Sequence, residues 1–116
     1  MAVSPGFRAF VLEQLEQAVP DIRDTRMFGG VGLYAGDEFF GIIDNDTVYF
    51  KVDDRTRPRF EAEGMEPFRP YGPDGETMGY YQVPASLLED VDVLRPWVRD
   101  AMAVAQRAKT RKRSKA

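Results

Sequence analysis

The sequence predicts an α+β fold: an antiparallel sheet of about five strands with helices packed on one side. Three observations lead there. The hydrophobic period switches from helical to strand-like and back again, the strand-like runs are short and separated by turn-forming residues, and 43% of the 116 residues are hydrophobic. One compact domain suits this length, and 12% aromatic residues supply bulk for its core.

Ser4-Pro5 reads as an N-cap followed by proline at the first helical position, where a missing N–H costs nothing. Phe7, Phe10, Val11, Leu15 and Ala18 then recur at three- and four-residue spacing, and Pro20 ends this helix. Three strands follow at 31–35, 38–43 and 47–52, joined by turns at Gly36-Asp37 and Asp44-Asn45-Asp46. In the third, Val48, Phe50 and Val52 alternate with Tyr49 and Lys51, as expected where one face is buried. The middle run Phe39-Phe40-Gly41-Ile42-Ile43 is apolar on both parities, which suits a central strand.

Asp53 or Asp54 is expected to cap a short helix through Ala62, with Phe60 as its anchor and Gly64 as a left-handed stop. Strands at 67–69 and 77–83 flank a loop at 70–75 whose Pro and Gly content suits nothing else. One helical turn at 86–88 precedes a last helix over 93–107, capped by Asp92, with Leu94, Trp97, Val98, Ala101, Val104 and Ala105 on its apolar face. The predicted order is α-β-β-β-α-β-β-α, with a folded domain over 1–106 and a mobile basic tail over 107–116.

Without cysteine or histidine the chain lacks thiolate and imidazole metal ligands, disulfides, cysteine nucleophiles and any Ser-His-Asp relay. No apolar run approaches the roughly 18 residues of a membrane span, the first ten residues do not read as a signal peptide, and a cytoplasmic location is expected. The net charge of −3 hides an asymmetry. Arg107, Lys109, Arg111, Lys112, Arg113 and Lys115 crowd the last ten residues, leaving ten basic against 19 acidic residues before them, a balance of −9.

Several motifs resolve into bland readings. Gly30-Val31-Gly32-Leu33-Tyr34-Ala35 spells G-x-G-x-x-A, but strand-like sequence follows where a dinucleotide site needs a helix. Gly29, Gly30 and Gly32 instead point to a tight entry into the sheet, a bulge, or a close approach by a neighbouring segment, and Gly30→Val is expected to harm folding by restricting the backbone dihedral. Asp44-Asn45-Asp46 opens like a calcium loop, yet Tyr49 and Arg55 occupy its glycine and glutamate positions. Tyr80-Tyr81 places one phenol on each face of a strand, one for the core and one to anchor a partner.

Arg26-Met27-Phe28-Gly29-Gly30-Val31-Gly32-Leu33-Tyr34, Val48-Tyr49-Phe50-Lys51-Val52-Asp53, Met78-Gly79-Tyr80-Tyr81-Gln82-Val83-Pro84 and Trp97 together resemble the N-terminal domain of TfoX/Sxy proteins, regulators of natural competence. The resemblance runs from about Phe7 to Ala105 and implies a small α+β domain acting in transcription of DNA-uptake genes with the cyclic-AMP receptor protein. Those regulators carry a second, helical domain, in whose place this sequence has the basic segment. The resemblance implies no catalytic residues, so Arg26, Phe28, Gly29, Gly30, Tyr34, Lys51, Tyr80 and Tyr81 stand as motif positions for partner binding.

The expected function is a non-enzymatic accessory domain in bacterial transcription that contacts a protein partner, binds no cofactor or metal and is monomeric or homodimeric. The six tail cations add weak, salt-sensitive attraction to nucleic acid. The alternative is a small-ligand or enzymatic domain with a pocket near Phe28, Tyr34 and Tyr80.

Overall fold

The computed structural model describes residues 3–27, 29–70 and 79–114, with backbone only at 111–114. Phe28, the loop expected at 71–75, residues 77 and 78 of the expected strand, and Lys115 lie outside the described residues.

Helix α1 (Pro5–Ala18) opens on Pro5 and buries Val11, Leu15 and Ala18, while Phe10 is exposed. Ser4 makes no side-chain cap; its N–H donates to Asp46 Oδ1 at 2.7 Å, tying the helix start to a β-turn. Strand β1 (Ile22–Met27) has no counterpart in the expected order. Its Ile-Arg-Asp-Thr-Arg-Met sequence carries almost no apolar alternation because it forms one edge of the sheet.

Strands β2 (Gly30–Ala35), β3 (Glu38–Asp44) and β4 (Thr47–Lys51) form the expected meander. Asn45 and Asp46 both take positive φ, at 51° and 53°, the conformation a two-residue hairpin turn requires. Asp53 Oδ1 accepts the N–H groups of Arg55 and Thr56, at 3.0 and 3.3 Å, capping the turn that leads into α2 (Arg57–Ala62). The segment expected as a strand at 67–69 makes a single bridge, between Pro67 and Tyr81, framed by the Phe68 N–H donating to the Tyr80 carbonyl at 2.8 Å and the Gln82 N–H donating to the Glu66 carbonyl at 3.0 Å. Strand β5 (Tyr80–Gln82), helix α3 (Ala85–Leu88) and helix α4 (Val91–Ser114) complete the chain.

The sheet has the order β1-β2-β3-β4-β5 with every pairing antiparallel, so the α+β class and the strand number stand while β1 takes the place given to 67–69. Two features of the last helix differ from the expectation. It starts under Asp90, whose carbonyl accepts the Leu94 N–H at 2.9 Å, and it runs on to Ser114 instead of ending at Arg107. The segment 107–114, expected as a mobile tail, is therefore helical backbone. Alanine, lysine and arginine are strong helix formers, no Gly or Pro interrupts them, and cations suit a helix C-terminus.

The helices cover one sheet face. Leu33 of β2, Phe40 and Ile43 of β3 and Phe50 of β4 lie beneath Val11 and Leu15 of α1 and Leu94 and Val98 of α4, all with no exposed area. Each such side chain contributes about 1.5–3 kcal/mol by burial. Phe60 of α2 meets Trp97 edge-on at 4.8 Å on the same side. Between Leu33 and Tyr34 the β2–β3 register shifts, so that Leu33 opposes Gly41 while Tyr34 opposes Phe39. This bulge explains the middle run's apolar residues on both parities: Phe40 and Gly41 both turn to the core, and Phe39 turns away from it. Among the described residues no helix packs on the far face, and none is long and apolar enough to cross a membrane.

The glycine motif divides its roles. Gly29 holds the left-handed backbone, with φ of 81°, at the β1–β2 turn. Gly30 does not: a Cβ there would lie 2.6 Å from the Ile43 carbonyl oxygen, so its requirement is the close approach of a neighbouring strand, not a restricted dihedral. Gly30→Ala is accordingly expected to cost about 1–3 kcal/mol in urea unfolding, because backbone must move to admit the methyl group. A variant unfolding at the wild-type urea midpoint would contradict this.

Candidate functional site

On the far face of the sheet, register places side chains in a row. Arg23 opposes Tyr34 across β1–β2, Tyr34 opposes Phe39 across β2–β3, and Lys51 opposes Tyr80 across β4–β5. The Tyr34 and Phe39 rings stack with centroids 5.0 Å apart, and Phe39 and Tyr80 follow at 6.0 Å. A cation closes each end: the Arg23 guanidinium lies 5.4 Å from the Tyr34 centroid, and Lys51 Nζ lies 5.2 Å from that of Tyr80. Tyr49 and Phe68, 4.7 Å apart, widen the aromatic surface toward β5. Ring contacts and flanking cations of this kind hold the side chains of the face in fixed positions.

The two ends of the row differ in burial. Tyr34 and Phe39 are half-buried, whereas Tyr80 is only 6% exposed. Burial first, and the neighbouring Tyr34 second, push the Tyr80 phenol up to about 12. Lys51 Nζ donates to Tyr80 Oη at 3.4 Å. Tyr49 is likewise raised, by burial and then by the Asp44 carboxylate, against a smaller opposing hydrogen bond with Thr47. Phenols this reluctant to ionise stay neutral near neutral pH.

Of the motif positions, Tyr34, Lys51 and Tyr80 come together on this face, with Phe39 as the ring that joins them. Tyr81 does not join them. It lies on the helix side, its hydroxyl donating to Glu61 Oε2 at 3.0 Å and its ring 6.2 Å from that of Phe60. Arg26, Gly29 and Gly30 are at the opposite edge, lining a cleft of about 350 Å³ with Val3, Arg8, Met27 and Val31. Phe28 lies outside the described residues. Sequence reasoning missed Phe39 and Arg23; the doubled Phe39-Phe40 was the available signal, legible only once the bulge assigns the two rings to opposite faces.

The basic segment also divides. Arg107 donates from Nε and Nη2 to Asp53 Oδ2, at 2.9 and 2.7 Å, and Lys109 donates to the Asp37 carbonyl at 2.9 Å and to Glu38 at 3.4 Å. These two cations lock α4 to the sheet turns. Burial alone would raise Asp53, but the Arg107 hydrogen bonds and the backbone N–H donors outweigh it and hold the carboxyl below the usual carboxylate range. A second cleft, of about 500 Å³, lies beside this pair and is lined by Lys51, Asp53, Asp54, Arg55, Arg57 and Arg107 among others. Neither cleft includes Tyr34 or Tyr80, where a ligand pocket was expected. Among the described residues no group of three or more acidic side chains is placed to hold a metal ion.

Compared with known proteins, residues 13–105 match the family model of the TfoX N-terminal domain. No curated protein matches the chain.

Two pH effects follow. Tyr80 is raised in the folded state, so its contribution is complete below the ordinary phenol value near 10 and lost as pH rises from there toward 12; a rise of that size corresponds to roughly 3 kcal/mol. Tyr80→Phe is expected to remove the last-ionising phenol from an ultraviolet titration and to flatten that alkaline loss. Asp53 is depressed, so its contribution is present above the ordinary carboxylate value and fades as pH falls through its lower folded value. Asp53→Asn is expected to lower the midpoint of urea unfolding at pH 7 and to bring the variant closer to wild type as the medium is acidified.

Proposed function

The chain belongs to the TfoX N-terminal domain family, and we propose that it acts as a non-enzymatic accessory domain in bacterial transcription, using the far sheet face to dock a protein partner. The observation that supports this reading most is the Arg23–Tyr34–Phe39–Tyr80–Lys51 row on the face that no described helix covers. Aromatic rings already held by their neighbours lose little side-chain entropy on binding, and arginine with tyrosine is the composition that concentrates energy in protein interfaces. With neither cysteine nor histidine, and with the Tyr49 and Tyr80 phenols raised, the face is suited to contact more than to proton transfer. RNA polymerase or the cyclic-AMP receptor protein is the expected partner, in a cytoplasmic setting.

Attraction to DNA is a second, weaker part of the proposal. Since Arg107 and Lys109 are bonded to the body, the contribution falls to Arg111, Lys112, Arg113 and Lys115, which add sequence-independent, salt-sensitive affinity. It raises the local concentration of the domain near the chromosome without specifying a site.

A tagged pull-down from native lysate with added nuclease tests the docking face. The wild type is expected to retain a transcription protein, and Tyr34→Ser, checked for a cooperative melt, to lose it by tenfold or more; equal recovery by both would contradict the proposal. A chain ending at Thr110 keeps both anchoring cations and is expected to fold while losing most DNA affinity and its steep salt dependence. Unchanged DNA binding by that chain would remove the role given to the last cations.

A further inference from the structure

We propose that β1 is a self-association edge, pairing antiparallel with β1 of a second copy so that Thr25 faces Thr25 across a two-fold axis. The inference is independent of the aromatic face. Strand β1 ends the sheet order, and among the described residues no strand lies beyond it. Arg23, Thr25 and Arg26 are exposed along its six residues.

Which backbone groups point outward follows from one hydrogen bond. Gly36 N–H donates to the Asp21 carbonyl at 2.9 Å, in step with the β1–β2 register of Ile22 opposite Ala35. In an antiparallel ladder such bonds recur at every second residue, so 23, 25 and 27 direct their N–H and C=O groups to β2. Ile22, Asp24 and Arg26 therefore direct theirs to the open edge, a template for one more strand.

Charge then selects the partner and its register. If a second β1 pairs with Thr25 opposite Thr25, Asp24 faces the other copy's Arg26 and Arg26 its Asp24, giving two opposite-charge pairs and four backbone hydrogen bonds on residues whose groups already point outward. The next registers that keep outward groups opposite each other lie a slide of two residues to either side. They put Asp24 opposite Asp24 or Arg26 opposite Arg26, which like-charge repulsion disfavours. Asp24 is also ion-paired with Arg8 of α1, which fixes its carboxylate near this edge. The two-fold operation makes the patch self-complementary and closes the assembly at two copies, joining two five-stranded sheets into one.

The absence of native cysteine makes the register directly testable. Facing residues outside the bonded pairs approach closely, near the Cα separation a disulfide needs. Oxidised Thr25→Cys is expected to form a reducible covalent dimer in high yield, and Arg23→Cys, also exposed but opposite Met27 in this register, to form little. Sedimentation of the wild type over a concentration series is expected to show a monomer–dimer equilibrium. Arg26→Asp is expected to weaken it by roughly tenfold, because a carboxylate would then face Asp24 in both pairs. A wild type that stays monomeric to millimolar concentration, equal cross-linking by the two cysteine variants, or a dimer indifferent to Arg26→Asp would each overturn the proposal.

Discussion

Burial of one face of the sheet under α1 and α4 is the constraint from which the rest follows. Leu33, Phe40, Ile43 and Phe50 find their cover in Val11, Leu15, Leu94 and Val98, so each strand has a committed side and a side left for other contacts. A one-residue slip in any strand would exchange the two, and that fixes the register. Among the described residues, the bulge at Leu33/Tyr34 is where the alternation is reset. It brings Phe40 into the core without losing Phe39 from the far face, and so the same device completes the core and the aromatic row.

Polar contacts then hold the periphery in place. Asp53 accepts from two backbone N–H groups and from Arg107, joining the β4–α2 turn to α4 through one carboxylate. Lys109 reaches the β2–β3 turn, and Arg95 reaches the Ala18 carbonyl at the end of α1 at 2.8 Å. Partly exposed pairs of this kind add little stability singly, but they fix where α4 leaves the body. The acidic body and the start of the basic segment are thus partly neutralised against each other through Arg107 and Lys109.

The α+β class and the meander could be read from the sequence because β4 alternates with a two-residue period, β2 and β3 are short apolar runs bounded by turn residues, and α1 and α4 carry a helical period. Strand β1 could not be read in this way. Edge strands bury little, so Ile-Arg-Asp-Thr-Arg-Met has no apolar rhythm to detect. The helical extension to Ser114 was hidden for the opposite reason: with no apolar anchor after Ala108, helix propensity and the Arg107 and Lys109 contacts carry it. At the candidate site, Tyr34, Lys51 and Tyr80 were legible as motif positions, but the ring that unites them was masked by its neighbour Phe40. Gly29 and Gly30 are adjacent in sequence and look alike there, yet one supplies a dihedral and the other a space.

If the face turned away from the helices is where this domain meets its partner, a probe placed on that face should capture the partner and a probe on the helix side should not. The most direct test is site-specific photo-cross-linking in living cells, with a benzophenone amino acid at Tyr34 in one strain and at exposed Arg99, on α4 over the opposite face, in another. A cross-linked transcription protein is expected from position 34 and none from position 99. Adducts from position 99 alone, or the same adducts from both, would contradict it.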